Sequence, residues 1–191
     1  MKNKLNDYVF KIENFLNKDL CEETVKQLEP IKWTDHRFVY RVVGGMTIEK
    51  SYSLKEELEV SYDNVSNKSE IMNRLHSAIQ QYQNNFKFNW FSGWNGYSAI
   101  RFNKYAKNRI MAKHCDHIHS MFDGKIKGVP ILSCLGILND DYQGGELIMF
   151  DNKHIELKAG DLLIFPSNFL YPHTVKPIKK ATRYSYISWV Y

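Results

Sequence analysis

RFNKYAKNRIMAKHCD, residues 101–116, connects two predicted strands over residues 97–105 and 110–116. Turn signals follow it at short intervals, including Gly144-Gly145 and Ala159-Gly160-Asp161. Many short strands separated by turn residues favour a sandwich or a barrel. The six further strands are predicted over residues 130–138, 146–150, 154–157, 161–165, 173–177 and 182–190.

Two helices are predicted before this strand-rich part. The first runs from an Asn17 cap to about Glu29, and Pro30 ends it. The second begins at Asn67 and Glu70, which are spaced as in a capping box. Its apolar residues recur at helical spacing, and this pattern predicts a face packed on a sheet. These apolar residues are Ile71, Leu75, Ala78, Ile79, Tyr82 and Phe86.

The segment between the two helices has a weaker pattern. Residues 37–43 predict a strand that ends at Gly44-Gly45. Residues 46–65 mix charged residues with serine and tyrosine and show no clear period. Loops of this length are usually functional or disordered, so we expect a long excursion or a lid.

Composition narrows the classes of protein. The net charge is +5, but the positive residues are scattered apart from Lys176, Lys179 and Lys180, which argues against a nucleic-acid partner. Three widely spaced cysteines without a CxxC pair argue against a disulfide scaffold or a structural zinc site, so we expect a cytoplasmic protein. No stretch approaches the roughly 20 apolar residues of a membrane span, so no membrane association is expected.

His114, Asp116 and His173 form the candidate metal site. Residues two apart in a strand share a face, so His114 and Asp116 project together, while His173 starts another predicted strand. Two imidazoles and one carboxylate can hold iron(II) on one face and leave the opposite face open. A zinc site that uses His114, His117 or His119 is the alternative.

Arg183 and Ser185 add a second polar pair, two residues apart on one strand face. A guanidinium binds a carboxylate through two parallel hydrogen bonds, and a serine hydroxyl adds a donor. An arginine that points into an apolar barrel needs such a partner, because an unpaired buried charge is costly. An exposed strand arginine is the alternative interpretation.

The second half of the chain resembles the iron(II)/2-oxoglutarate-dependent dioxygenases, and within them the prolyl 4-hydroxylase-like branch. The resemblance rests on RFNKYAKNRIMAKHCD, ILND followed by GGELIMF, AGDLLIFPS, and YPHTVKPIKKATRYSYISWVY, in this order. It implies a mainly β protein: a double-stranded β-helix, or jelly roll, with N-terminal helices packed on the major sheet. We expect a single domain over residues 1–191, with helical support over 1–90 and the catalytic jelly-roll core over 96–191.

The resemblance also implies roles for individual residues. His114, Asp116 and His173 match the iron ligands, and Arg183 matches the residue that holds the distal carboxylate of 2-oxoglutarate. Tyr105 stands where a tyrosine often hydrogen-bonds this cosubstrate. Ser185 would support Arg183, and Trp189 matches an aromatic residue that serves either core packing or a substrate wall. Two positions depart from the pattern: Met111 replaces a frequent aromatic residue, and Gly136-Ile137 stands where some relatives place a tyrosine.

The implied reaction is hydroxylation of a C–H bond, with iron(II), 2-oxoglutarate and O2 as cofactor and cosubstrates and ascorbate as a candidate reductant. A prolyl residue of a protein or peptide is the expected substrate, and a free amino acid or other small molecule is the alternative. A non-catalytic jelly-roll binding module and a zinc cupin-like enzyme are the competing classes. Two further sets of residues are expected near the metal site. Apolar walls are assigned to Ile148, Phe150, Leu163 and Phe165, and a peptide groove to Trp90, Trp94, Tyr97 and Arg101.

Overall fold

The computed structural model describes residues 4–36, 40–41, 47–48, 57–86, 96–116 and 130–191. No helix in these ranges is long and apolar enough to span a membrane. Cys21, Cys115 and Cys134 all carry free thiols.

Two α-helices lie in the described part of the chain, and both were predicted. Helix α1 (Lys18–Leu28) begins after Asn17, whose side chain accepts a hydrogen bond from the backbone N–H of Leu20. Helix α2 (Lys68–Asn85) follows Asn67. The predicted capping box at α2 is wrong, because Asn67 has helical backbone angles and makes no side-chain cap.

The side chains of that expected capping box are engaged elsewhere. The Asn67 amide donates to the Thr24 hydroxyl on α1, at 3.1 Å. Glu70 pairs with Arg74 one turn further along α2. Contact between the two helices has therefore replaced the local cap.

All eight strands predicted after residue 96 are present, with ends shifted by a few residues. In chain order the strands are β1 (Phe10–Ile12), β2 (Thr34–Asp35), β3 (Tyr40–Arg41), β4 (Thr47–Ile48), β5 (Glu59–Ser61), β6 (Arg101–Tyr105), β7 (Met111–His114), β8 (Leu132–Ile137), β9 (Gln143–Gly144), β10 (Leu147–Met149), β11 (Lys153–Ile155), β12 (Leu162–Pro166), β13 (His173–Val175), β14 (Ile178–Lys180) and β15 (Arg183–Val190). Strands β1, β2, β4, β5, β9 and β14 were not predicted.

These strands form two principal antiparallel sheets. The major sheet has seven strands in the order β1-β12-β8-β15-β6-β5-β2, and the minor sheet has four in the order β11-β10-β13-β7. Strands β9 and β14 pair with each other, as do β3 and β4. Strand β5 falls inside the segment expected to be an excursion or lid, so its residues 59–61 belong to the major sheet instead.

Side-chain alternation along β15 shows where the two halves of the core lie. Tyr184 and Tyr186 pack with the helices, whereas Ile187 and Trp189 pack with residues of the minor sheet. Because strand residues alternate between faces, one face of the major sheet carries the helices and the other faces the minor sheet. This is a double-stranded β-helix with helices packed on its major sheet.

Candidate metal and dicarboxylate site

The antiparallel pair β7–β13 is irregular beside the site. Val175 lies opposite Met111 and His173 lies opposite His114, so one residue on β13 faces two on β7. Such a bulge bends a strand and re-aims its side chains. The Thr174 hydroxyl forms a hydrogen bond across the bulge by donating to the Met111 carbonyl at 2.7 Å. As a result His114 stands directly across from His173.

The structure brings the three predicted metal ligands together. Oδ1 of Asp116 lies 3.2 Å from Nε2 of His114 and 3.7 Å from Nε2 of His173. The candidate ligand atoms of the three residues all lie within 4.8 Å of one another. Asp116 and His173 are buried and His114 is half-buried. Two separate stretches of chain therefore converge on one small volume.

Backbone carbonyls orient both imidazoles. Nδ1 of His114 lies 2.8 Å from the Ala112 carbonyl, and Nδ1 of His173 lies 3.1 Å from the Tyr171 carbonyl. A carbonyl can only accept, so each Nδ1 carries a hydrogen, and a ring without a second proton presents its lone pair at Nε2. This is the usual outer support of a metal-binding histidine.

The protonation states agree with a metal site. Burial lowers the pKa of His173, which favours its neutral ring. Burial alone would raise the pKa of Asp116, but His173 and His114 outweigh it and hold that pKa below the ordinary value. Two imidazoles and a carboxylate with a lowered pKa therefore face one another, which is a set of residue types that binds cations. The donor set fits iron(II).

Arg183 lies on the barrel side of β15 and is fully buried, with 1% of its surface exposed. Its Nε donates to the Tyr142 hydroxyl at 3.2 Å, and its Nη1 lies 3.5 Å from the Ser185 hydroxyl. The Tyr105 ring packs 4.8 Å from the guanidinium carbon. Among the described residues no carboxylate forms an ion pair with Arg183. The surroundings are therefore suited to a carboxylate from a ligand.

Tyr142 is a site residue that the sequence reasoning missed. It lines a cavity of about 190 Å³ together with Arg183, Leu147 and Leu157. The available signal was its position: an aromatic residue in an otherwise polar turn, shortly before Gly144-Gly145. Its hydroxyl accepts from the Arg183 Nε. A side chain at Gly136 would instead meet the Tyr186 ring on the helix side of the major sheet.

The predicted apolar walls are only partly correct. Phe165 packs edge-to-face on the His173 ring with centroids 5.1 Å apart, and Leu163 shares the same cluster between the sheets. Phe150 packs against that cluster from its margin. Ile148 is a wrong assignment, because its neighbours Leu147 and Met149 face the interior and alternation turns Ile148 outward.

Arg101 and Trp189 form a second feature of the barrel interior. The Arg101 guanidinium carbon lies 5.1 Å from the Trp189 ring, and its Nε donates to the Asn103 side chain at 3.0 Å. The Trp189 indole N–H is buried and has no hydrogen-bond partner within the described residues. Tyr97, also expected near a groove, instead hydrogen-bonds the Met72 carbonyl of α2.

Several expectations fall on residues outside the described part of the chain. These are Trp90, Trp94, His117, His119, and residues 46 and 49–56 of the expected lid. The zinc alternative that used His117 or His119 stays a prediction.

Comparisons with known proteins agree with this geometry. Residues 100–191 match the family model described as the 2OG-Fe(II) oxygenase superfamily. A PKHD-type hydroxylase of Xylella fastidiosa strain M12 is 35% identical over 107 residues, which is 47% of this chain and 43% of that protein. The chain thus spans less than half the length of this curated relative.

Solved structures show the same fold at low identity. A prolyl hydroxylase from Trichoplax adhaerens, solved with a fragment of a hypoxia inducible factor, has a TM-score of 0.70 and 20% identity, covering 98% of this chain and 85% of that one. A viral collagen prolyl hydroxylase from Paramecium Bursaria Chlorella virus-1, solved with 2OG, has a TM-score of 0.68 and 15% identity, covering 96% and 94%. The predicted jelly-roll fold is confirmed.

The matched region, residues 100–191, belongs to the 2OG-Fe(II) oxygenase superfamily. The curated relative that it matches is a PKHD-type hydroxylase, and the solved structures that share its fold are prolyl hydroxylases. The predicted resemblance is therefore confirmed.

Proposed function

We propose that this protein is an iron(II)- and 2-oxoglutarate-dependent dioxygenase that hydroxylates a prolyl residue of a protein or peptide. One observation carries the proposal: two imidazoles and a carboxylate converge in a barrel that also buries an arginine without a described carboxylate partner. The first group fits iron(II), and the second fits the distal carboxylate of 2-oxoglutarate.

His114, Asp116 and His173 would hold the metal, and Arg183 would anchor the dicarboxylate. Iron(II) with 2-oxoglutarate and O2 supplies the oxidising chemistry, whereas the protein supplies orientation and a dry cavity. The Tyr142 hydroxyl accepts from Nε of Arg183, and Nη1 lies 3.5 Å from the Ser185 hydroxyl. The remaining Nη donors would bind the distal carboxylate of 2-oxoglutarate. A rigid strand framework suits this task, because ligand positions must be held within about 0.5 Å.

Exclusion of water comes from the apolar residues around these groups. Phe165 covers one face of His173, and Leu163 and Met149 belong to the same buried cluster. Hydrogen bonds and ion pairs are stronger in such surroundings than in water. The same residues would protect a reactive centre from side reactions.

Residues for a peptide substrate are proposed from their position and exposure. Arg101 provides a cation that stacks on the buried Trp189 ring, whose indole N–H has no partner among the described residues. Phe169 and Leu170 are 78% and 44% exposed and precede His173, and the Phe169 carbonyl lies 3.6 Å from the Cys115 thiol. Exposed apolar side chains beside a site often mark a contact surface. A peptide substrate would bring a prolyl ring together with flanking residues that these side chains can contact.

Isotope labelling tests the reaction and the substrate together. Purified protein is incubated with iron(II), 2-oxoglutarate, labelled dioxygen and a peptide library or cell extract, and products are read by mass spectrometry. We expect succinate and label on proline, and neither with the His173→Ala variant. Label only on free amino acids would replace the peptide substrate by a small molecule. Absence of iron-dependent succinate would favour the binding-module or zinc-enzyme alternatives.

The cytoplasmic location is also proposed, and it rests on cysteine usage. Fractionation of the source cells followed by immunodetection would test it. Recovery of the protein with a membrane or secreted fraction would contradict it.

A further inference from the structure

We infer that Glu57 is a positioning residue for the metal centre, because its carboxylate holds the bulged backbone that orients His114. The inference rests on the proposed metal site. Glu57 is far from that site in sequence and is not one of the three metal ligands. Glu57 lies within residues 46–65, which were expected from the sequence to form an excursion or a lid.

A short chain of hydrogen bonds links Glu57 to the metal ligand. Oε1 of Glu57 accepts from the Ala112 backbone N–H at 3.1 Å. The Ala112 carbonyl in turn accepts from Nδ1 of His114 at 2.8 Å. Ala112 lies in the bulge of β7. Its carbonyl orients the His114 ring, and Glu57 holds its N–H in place.

Ala112 needs this partner because β7 is the edge strand of the minor sheet. Its backbone groups on the open side have no further strand of that sheet to pair with, and buried N–H groups require an acceptor. Glu57 forms a parallel bridge with Ile110, and the Leu58 N–H donates to the Ile110 carbonyl at 3.1 Å. This backbone pairing with Ile110 stops at the bulge, where the Glu57 carboxylate accepts from the Ala112 N–H instead.

Glu57 is held firmly enough to act as a support. It is 1% exposed, and its carbonyl accepts from the Arg109 guanidinium at 2.6 Å. Its second oxygen lies 3.9 Å from Nδ1 of His36. Strand β5 begins two residues later and pairs with β6, so the segment is fixed to both sheets. A buried carboxylate in this setting costs free energy, which an apolar residue would avoid.

Three substitutions separate the role of the acceptor from the role of the charge. Glu57→Gln keeps an oxygen that can accept from Ala112. Glu57→Asp keeps the charge but withdraws the oxygen by one methylene, and Glu57→Ala removes both. Glu59→Ala is the matched control, because Glu59 lies in the same segment and its carboxylate pairs with Lys104 instead.

The readout is the affinity for Mn²⁺ alone, a metal probe that does not require turnover. It is measured by titration calorimetry below the melting temperature of every variant, with circular dichroism as the check on folding. We expect Glu57→Asp and Glu57→Ala to bind Mn²⁺ about 10- to 100-fold more weakly than wild type. The Glu57→Gln and Glu59→Ala variants should bind as wild type does.

Two results would overturn the inference: wild-type affinity in folded Glu57→Asp, or affinity in Glu57→Gln as weak as in Glu57→Ala. If the alanine variant does not fold, the comparison of Gln with Asp decides. The proposed function fails separately, if wild type binds no Mn²⁺ or if His173→Ala binds it equally well.

Discussion

Replacement of Arg183 by methionine should remove most of the stabilisation of the protein by 2-oxoglutarate without unfolding it. The guanidinium is fully buried, and its described partners are two hydroxyls and an aromatic ring. Removing one partner of a buried hydrogen-bonded charge pair costs about 2–5 kcal/mol of binding. At 1.4 kcal/mol per decade, the affinity for 2-oxoglutarate should fall by roughly 30-fold to several thousand-fold.

Thermal unfolding with Mn²⁺ present measures this directly. At a concentration 100 times the dissociation constant, a ligand stabilises the folded state by about 2.7 kcal/mol. For a domain of this size, 1 kcal/mol shifts the melting temperature by about 2–4 °C, so wild type should gain about 5–11 °C. Under the same conditions the variant should gain at most about 3 °C, and almost nothing if the affinity falls several thousand-fold.

The ligand-free variant provides the second half of the test. Replacing a buried charge by an apolar side chain of similar volume is often neutral or stabilising, so its melting temperature should not fall. The control is Arg74→Met, which removes a surface guanidinium paired with Glu70 and should keep the full 2-oxoglutarate shift. A retained shift in Arg183→Met, or a strong loss of ligand-free stability, would refute the assignment of Arg183 to a ligand.

The remaining predictions concern a helix cap, a glycine and a histidine. Asn17→Ala removes the cap of α1 and should cost about 1 kcal/mol of unfolding free energy without changing Mn²⁺ affinity, as urea denaturation and calorimetry can show. Gly145 has a φ of +69°, and a Cβ there would collide with Ile178 and press on Arg183, so Gly145→Ala should weaken 2-oxoglutarate binding in a titration. Burial lowers the pKa of His36 from 6.5 to about 3, so only the unfolded chain gains this proton between those values. The folded state should lose stability as the pH falls below about 6.5, and His36→Gln should flatten that loss in denaturation curves at pH 7 and pH 5.

Sequence reasoning succeeded where the relevant rule is local. The shared face of Arg183 and Ser185 follows from strand periodicity. His114 and Asp116 do meet as expected, but β7 ends at His114, so Asp116 reaches the site from the residues after the strand and not by strand alternation. The Asn17 cap depends only on residues within one helical turn. Eight of the ten described strands after residue 96 were found because apolar residues and turn residues alternate there at short intervals, whereas the short strands β9 and β14 were missed.

The sequence could not show features that depend on pairing between distant segments. The contact of Glu57 with Ala112 joins residues 55 positions apart, and it exists because a bulge leaves an N–H without a strand partner. The outward direction of Ile148 depends on strand register, and a shift of one residue reverses it. Tyr142 acts from a turn, where no period indicates the direction of a side chain.

The most direct test of the metal site is a crystal structure of the protein grown with Mn²⁺ and 2-oxoglutarate, with anomalous scattering recorded for manganese. We predict one strong anomalous peak bound by Nε2 of His114, a carboxylate oxygen of Asp116 and Nε2 of His173. We also expect the distal carboxylate of 2-oxoglutarate on the Arg183 guanidinium. A peak bound by other side chains, or the dicarboxylate placed away from Arg183, would contradict these predictions.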